Sequence, residues 1–210
     1  MSDKPISQLV IKRLPIYYRY LGELSEKGIE RISSKELAQR MGGTASQIRQ
    51  DLNNFGEFGQ QGYGYNVDYL RSEIGKILGI DREQTIIIIG TGNLGQALAN
   101  YDFGSVGFKL IGLFDVNPRL YNLVINGVEI LPVDSLPEFI AANKVDVATL
   151  AVPRSRAKEM AKELEDLGIR AIWNFALTEL DVSDRVSVSN MHLDDGLMTL
   201  SYNYRQNQDK

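Results

Sequence analysis

Thr85-Ile-Ile-Ile-Ile89 runs straight into Gly90-Thr91-Gly92-Asn93-Leu94-Gly95, and no other stretch limits the possible folds as tightly. A short, wholly apolar, β-branched run stopped by glycine marks a strand buried on both faces, as the strands of a parallel sheet are. Gln96-Ala-Leu-Ala-Asn100 then reads as a helix, and Leu110-Ile-Gly-Leu-Phe114 as a second strand ending at Asp115. Strand, glycine turn, helix, strand and acid in that order make the βαβ unit that holds a dinucleotide. The first glycine permits the tight turn, the second lets the backbone approach a pyrophosphate, and the third lets the helix pack on the strand. Asp115 is expected to accept hydrogen bonds from a ribose diol. Its charge disfavours a 2′-phosphate, which favours NAD(H) over NADP, although Arg119 nearby softens that preference. Two other readings fit the same residues. The glycines could serve only to tighten a βα turn, or a related unit could hold the phosphates of coenzyme A.

The alternation continues towards the C-terminus, with strands expected over 127–131, 146–152, 170–174 and 186–189 and helices over 134–143 and 154–167. The fold class is therefore α/β, a Rossmann-type doubly wound parallel sheet. Ligands of such sheets lie across the carboxyl ends of the strands. That places Gly90, Thr91, Gly92, Asn93, Leu94, Gly95, Asp115, Val152, Pro153, Asn174 and Phe175 at the expected cofactor site.

Residues before position 81 follow a different pattern. Leu9, Val10, Leu14, Ile16, Tyr17, Tyr20, Leu21 and Leu24 recur at helical spacing, and Pro15 inside them predicts a short leading helix or a kink, with the main helix starting near Pro15. Ser33-Ser-Lys-Glu36 and Thr44-Ala-Ser-Gln47 are two capping boxes separated by Gly42-Gly43. Two short capped helices across a glycine turn spell helix-turn-helix, with 45–54 as the recognition helix. Ile48, Leu52 and Phe55 take its inner face, leaving Ser46, Gln47, Arg49, Gln50 and Asn53 outward. Those types suit base edges, Arg for guanine and Gln or Asn for adenine. The glycine and aromatic stretch 56–65, with Gln60, Gln61 and Tyr63, reads as a β-hairpin wing, and 67–78 as a closing helix. Small trihelical domains also serve in dimerisation or protein docking, and the pattern alone leaves that open. The domain boundaries expected are 1–80 for the winged helix-turn-helix, 81–192 for the Rossmann domain and 193–210 for a C-terminal helix and tail.

The net charge of −4 is unevenly spread: residues 1–80 carry 11 Lys and Arg against 9 Asp and Glu, and residues 81–210 carry 12 against 18. A mildly basic head ahead of an acidic ligand domain is consistent with a local DNA contact. The chain has no cysteine, which removes disulfides, thiolate metal sites and thiol redox chemistry. No apolar run approaches the ~20 residues needed to span a bilayer, and the N-terminus lacks a signal peptide's apolar core. A cytoplasmic protein without membrane or metal partners is expected. Hydride transfer would need an acid or base beside the nicotinamide, yet the one histidine, His192, lies near the C-terminus and no paired acid–base set stands out. The reading is therefore of binding without turnover. A small NAD-dependent oxidoreductase with an accessory helical domain is the alternative. Leu197, Leu200 and Tyr204 form a stripe on a tail helix that must dock, either on its own chain or on a partner.

Leu14-Pro-Ile-Tyr-Tyr-Arg19-Tyr-Leu, Ile48-Arg49-Gln50-Asp51-Leu52 with Phe55-Gly56 and Phe58-Gly59, Gly62-Tyr-Gly-Tyr65, Gly90 to Gly95 with Tyr101, Val152-Pro153 and Asn174-Phe175-Ala176 occur in that order. Together they resemble the Rex family of redox-sensing transcriptional repressors over nearly the whole chain. The resemblance implies a homodimer with exchanged C-terminal helices on inverted-repeat operator DNA, repressing genes of fermentation and anaerobic respiration when NADH is scarce. NADH binding then closes the dimer and releases the DNA. It also implies three switch positions: an arginine of the first long helix, a tyrosine after the Rossmann helix and an acidic residue just before the swapped helix. Arg19 and Tyr101 match the first two, while His192 stands at the third with Asp194 and Asp195 close by.

Gln50 stands where that family often carries lysine, and Gln60 and Gln61 where the wing is often basic. Fewer cations release fewer condensed counterions. Operator affinity measured from about 50 to 200 mM salt should therefore fall with a shallower log–log slope than for a relative with those lysines.

Overall fold

The alternation of Ile86 and Ile88 with Ile87 and Ile89 along β4 (Gln84–Ile89) divides one sheet into two cores. In the computed structural model, which describes residues 6–56, 58–60 and 63–208, β4 lies at the centre of a seven-stranded sheet. The other strands are β5 (Phe108–Asp115), β6 (Val124–Ile125), β7 (Val128–Pro132), β8 (Val147–Leu150), β9 (Ala171–Asn174) and β10 (Ser187–Asn190). Their order is β10-β9-β8-β4-β5-β7-β6, parallel throughout except for the short antiparallel β6–β7 pair. The chain builds outward from β4 through β5 and β7, then returns to β8 on the other side. That reversal opens a crevice between β4 and β8. Ile87, Ile89, Phe114 and Leu150 face Leu136 of α6 (Leu136–Ala142) and Ala161 and Leu164 of α7 (Arg154–Asp166). Ile86, Ile88 and Leu113 face Ala99 of α5 (Asn93–Ala99) and Phe103. Covering both faces explains why the strands are apolar runs. The edge strand β6 escapes the sequence pattern because its two residues carry no period.

Residues 1–82 and 83–210 form separate compact units. In the first, α1 (Gln8–Glu26) is one helix that runs through Pro15, where a short leading helix or a kink is expected from the sequence. Proline deletes one N–H bond to the preceding turn, at position 11. Pro15 itself is exposed, and the buried stripe Val10, Leu14, Tyr17, Leu21 and Leu24 holds the helix on both sides of it. The helix α4 (Val67–Leu78) lies against α1, with the Arg71 guanidinium 4.7 Å from the Tyr18 ring centre. Between them in sequence come α2 (Ser34–Met41), whose Ser33–Glu36 capping box is complete, and α3 (Ala45–Asn53), where Thr44 Oγ1 accepts from Gln47 N but the Gln47 side chain makes no return bond to the cap. Strands β1 (Arg31–Ile32), β2 (Gly59–Gln60) and β3 (Gly64–Asn66) form the wing sheet in the order β1-β3-β2.

One side chain of α3 departs from the amphipathic pattern. Asp51 is 2% exposed, and its carboxylate accepts from Arg13 Nε at 2.6 Å, Arg13 Nη2 at 2.7 Å and the Tyr17 hydroxyl at 2.6 Å. Burial pushes the Asp51 carboxyl up, but the hydrogen bonds from Arg13 and Tyr17 and the guanidinium charge outweigh it and hold it below the usual carboxylate range. Burial and then Asp51 itself push the Tyr17 phenol well up.

The tail folds as α8 (Leu193–Gln208), four residues beyond its apolar stripe at either end, and every residue of it is exposed. Leu193, Leu197, Met198, Leu200, Tyr202 and Tyr204 are each more than half exposed. Among the described residues of its own compact unit none covers α8, so docking there, one form of the own-chain option open from the sequence, is not seen.

Because Asp51 titrates lower when folded than when unfolded, its contribution is present above the ordinary carboxylate pKa and is lost as pH falls through its folded value. Asp51→Asn should lower denaturant stability at neutral pH by about 1–3 kcal/mol and flatten the acid limb of the stability profile. Urea titrations across pH would measure both.

Candidate functional site

The crevice between β4 and β8 is shaped by what the glycine turn excludes. Gly90 adopts φ +90°, and a Cβ there would lie 2.5 Å from the Ala151 carbonyl oxygen just beyond β8. A Cβ on Gly95 would run into the Gly90 carbonyl oxygen, so α5 packs on the turn only through glycine. Gly92 differs from both. It caps α5 with an ordinary φ of −67°, and a Cβ there would meet nothing within 4 Å. Protein packing therefore does not require a glycine at position 92. The open space is suited to backbone approach by a ligand, and the turn fits a bound pyrophosphate.

The turn is tied to the end of β5. Thr91, wholly buried, donates from its backbone N at 2.6 Å and its Oγ1 at 2.9 Å to one Asp115 oxygen, and the other accepts from Asn117 N at 2.8 Å. Asp115 thus has an internal task that the spacing does not reveal. An ionised carboxylate accepts about four hydrogen bonds, so capacity for a ribose hydroxyl remains. Asn93 is exposed at the start of α5 and Leu94 half-buried behind it. Val152, half-buried, has its Cγ1 3.1 Å from the point a Gly90 Cβ would occupy, and Pro153 caps α7. These residues stand together around the β4 and β8 ends.

Asn174 and Phe175 stand one strand further along, at the end of β9. Asn174 is 1% exposed; its Nδ2 donates to Thr178 O at 2.7 Å and Asn190 Oδ1 at 2.8 Å, and its Oδ1 accepts from Ala176 N at 3.0 Å. Its amide clasps β9 to β10, and Phe175 beside it is buried. Phe175, Trp173, Phe103 and Tyr101 form an edge-to-face series with ring centres 4.6, 6.3 and 5.3 Å apart. Tyr101, half-exposed at its outer end, is thereby packed against the core. His192 is exposed just before α8, and its carbonyl accepts from Asp195 N at 3.4 Å. Arg19 is exposed on α1. Among the described residues no three His, Asp or Glu side chains form a metal cluster, and no helix is long and apolar enough to cross a membrane.

In the first unit, Ile48 and Leu52 are buried and Phe55 is packed against the same core, leaving Ser46, Arg49, Gln50 and Asn53 exposed. These four, with Asn54, line a shallow open groove on the outer face of α3. Gln47 is half-buried, its Oε1 turned towards Gly43. Arg49 Nη1 donates to Ser34 Oγ at 3.0 Å, which holds the guanidinium across the two helices. Tyr63 is 72% exposed at the wing tip, and its carbonyl accepts from Arg31 Nη1 at 3.3 Å. Gln61 lies outside the described residues, as does the side chain of Gln60. Asp51 is the functional-unit residue that sequence reasoning left unassigned; a carboxylate on the apolar side of a helical wheel was its only signal.

Residues 5–53 match the family model "Putative DNA-binding protein N-terminus", and residues 81–178 match "CoA binding domain". The redox-sensing transcriptional repressor Rex of Clostridium perfringens strain SM101 is 52% identical over 210 residues, covering 100% of this chain and 99% of the relative. That of Clostridioides difficile strain 630 is 53% identical over 203 residues, 96% of this chain and 97% of the relative. Among solved structures, RSP in complex with β-NAD+ and operator DNA superposes with a TM-score of 0.90 at 52% identity, covering 98% of this chain and 95% of that one. RSP in complex with β-NADH gives 0.91 at 49% identity, covering 98% and 97%.

Gly92 and Gly95 should separate on substitution. Gly95→Ala should cost about 1–3 kcal/mol of stability through overpacking. Gly92→Ala should melt within about 0.5 kcal/mol of the parent yet bind NADH about tenfold more weakly. Thermal melting and a fluorescence titration on both variants would test the pair.

Proposed function

The chain belongs to the Rex family of redox-sensing transcriptional repressors, and from that premise we propose that it binds operator DNA through its first unit and reads the NADH/NAD+ ratio through its second. The observation that carries this reading is a single chain holding both parts. One is a glycine turn in which Gly92 is left clear of its own protein, and the other is a capped helix pair whose outer face offers Ser46, Arg49, Gln50 and Asn53. Nothing in a nicotinamide-dependent enzyme calls for the second. We assign residues 1–80 to DNA, 81–192 to the dinucleotide and 193–210 to assembly.

The bound nicotinamide supplies the signal, being cationic when oxidised and neutral when reduced. Around it the residues have separable tasks. Gly92 admits the pyrophosphate while Gly90 and Gly95 let the turn and α5 close on the sheet, Asp115 receives the ribose while holding the Thr91 turn, and Val152, Pro153 and Phe175 present apolar surface that disfavours an unpaired charge. The exposed side of α8 meets a second copy of the chain, giving a homodimer with two recognition helices for an inverted repeat. Arg19, Tyr101 and His192 with its neighbouring acids couple nucleotide to DNA. A ligand shifts an equilibrium only by its differential affinity, so NADH must favour the closed dimer over the DNA-binding one by several kcal/mol for decisive release. Turnover, a metal and a membrane have no part in this scheme, and the cytoplasm is its setting.

Fluorescence anisotropy of a labelled operator, selected from random inverted repeats, tests the reading. NADH should release the operator at concentrations where NAD+ does not. DNA binding indifferent to both nucleotides, or the lack of any selectable operator, would return the chain to the oxidoreductase reading.

A further inference from the structure

The helix α3 has nine residues, too few to hold a fixed attitude by itself. Its apolar contacts through Ile48 and Leu52 set how deep it sits, but apolar contact has no direction. Direction comes from Asp51. Three donors, two on Arg13 and one on Tyr17, converge on its two carboxylate oxygens within 2.7 Å, and all three come from α1. Arg13 and Tyr17 are one helical turn apart, so they grip the carboxylate from successive turns of α1. A forked guanidinium on a carboxylate fixes angle as well as distance. Asp51 lies one residue from Gln50 and two from both Arg49 and Asn53, on the opposite side of the helix from the face they form. A buried ion pair is a weak way to gain stability, because apolar residues of the same volume often do as well. Its distinctive product is a unique geometry.

We propose that Asp51, gripped by Arg13 and Tyr17, is a positioning residue that sets the angle at which α3 offers its outer face to DNA, and thereby the discrimination of operator from other sequences. The proposal rests on the repressor reading. It makes α1 and α3 one mechanical body, so that any displacement of α1 is delivered to the recognition helix.

The full chain carrying Asp51→Asn, and separately Tyr17→Phe, is titrated against the selected operator and a scrambled duplex of equal length over a salt series, below the melting temperature of each variant. Asp51→Asn should lower the operator-to-scrambled affinity ratio about tenfold or more, the scale of one misplaced base contact, and Tyr17→Phe should lower it less. Affinity for the scrambled duplex and its salt slope should stay unchanged, since no phosphate contact is removed. A purely stabilising pair would shift the melting temperature and leave the ratio alone. Folded variants with the parental ratio would overturn the proposal. So would affinities that fall together with a salt slope smaller by about one, which would make Arg13 a phosphate contact. If Asp51→Asn does not fold, Tyr17→Phe decides by the same criteria. A parent chain that prefers no operator would instead overturn the repressor reading and remove the premise, an outcome visible before any variant is made.

Discussion

Three backbone segments compete for the space beside Gly90, and the nucleotide unit depends on their sharing it. The end of β4, the Ala151 carbonyl beyond β8 and the first turn of α5 come so close that side chains at 90 and 95 are excluded. The closeness has a purpose in the architecture. It brings the start of a helix against the point where strand order reverses, the place at which doubly wound sheets bind ligands. The Thr91–Asp115 hydrogen bonds then fasten the turn to the neighbouring strand, so the loop that must contact a ligand is held before the ligand arrives. Preorganisation of this kind reduces the ordering that binding would otherwise require.

Features that were legible in the residues are those whose physics is local. The capping box at Ser33, the N-cap at Thr44, the Gly90 to Gly95 turn and the isoleucine run of β4 each depend on neighbours a few positions away, and each forms as expected, save that Gln47 does not complete the box at Thr44. The parts that were not legible depend on distant partners. Asp51 looks like an ordinary polar residue until Arg13 and Tyr17, 38 and 34 positions earlier, are brought to it. Asn174 fits a strand-end ligand contact equally well by position, but its amide is used by Thr178, Ala176 and Asn190. Pro15 breaks helices by local rule and is overridden by a buried stripe on either side of it.

The two units achieve rigidity by different means. The nucleotide unit uses the absence of side chains, with backbone packed on backbone. The DNA unit uses a charged knot in its core, where a carboxylate, a guanidinium and a phenol satisfy one another. At Gly90 and Gly95 the turn tolerates no added atom, whereas a hydrogen-bonded knot tolerates no removed one.

The helix α8 carries a row of leucines and tyrosines that are each more than half exposed. Sixteen residues in water lie near the limit at which a helix persists unaided, so its order is tied to meeting a complementary surface. Where that surface belongs to another copy, the shape of the tail becomes a function of how much of the protein the cell has made. Abundance and conformation are then linked by mass action, and the sharpness of any response depends on expression level as well as on the metabolite that triggers it.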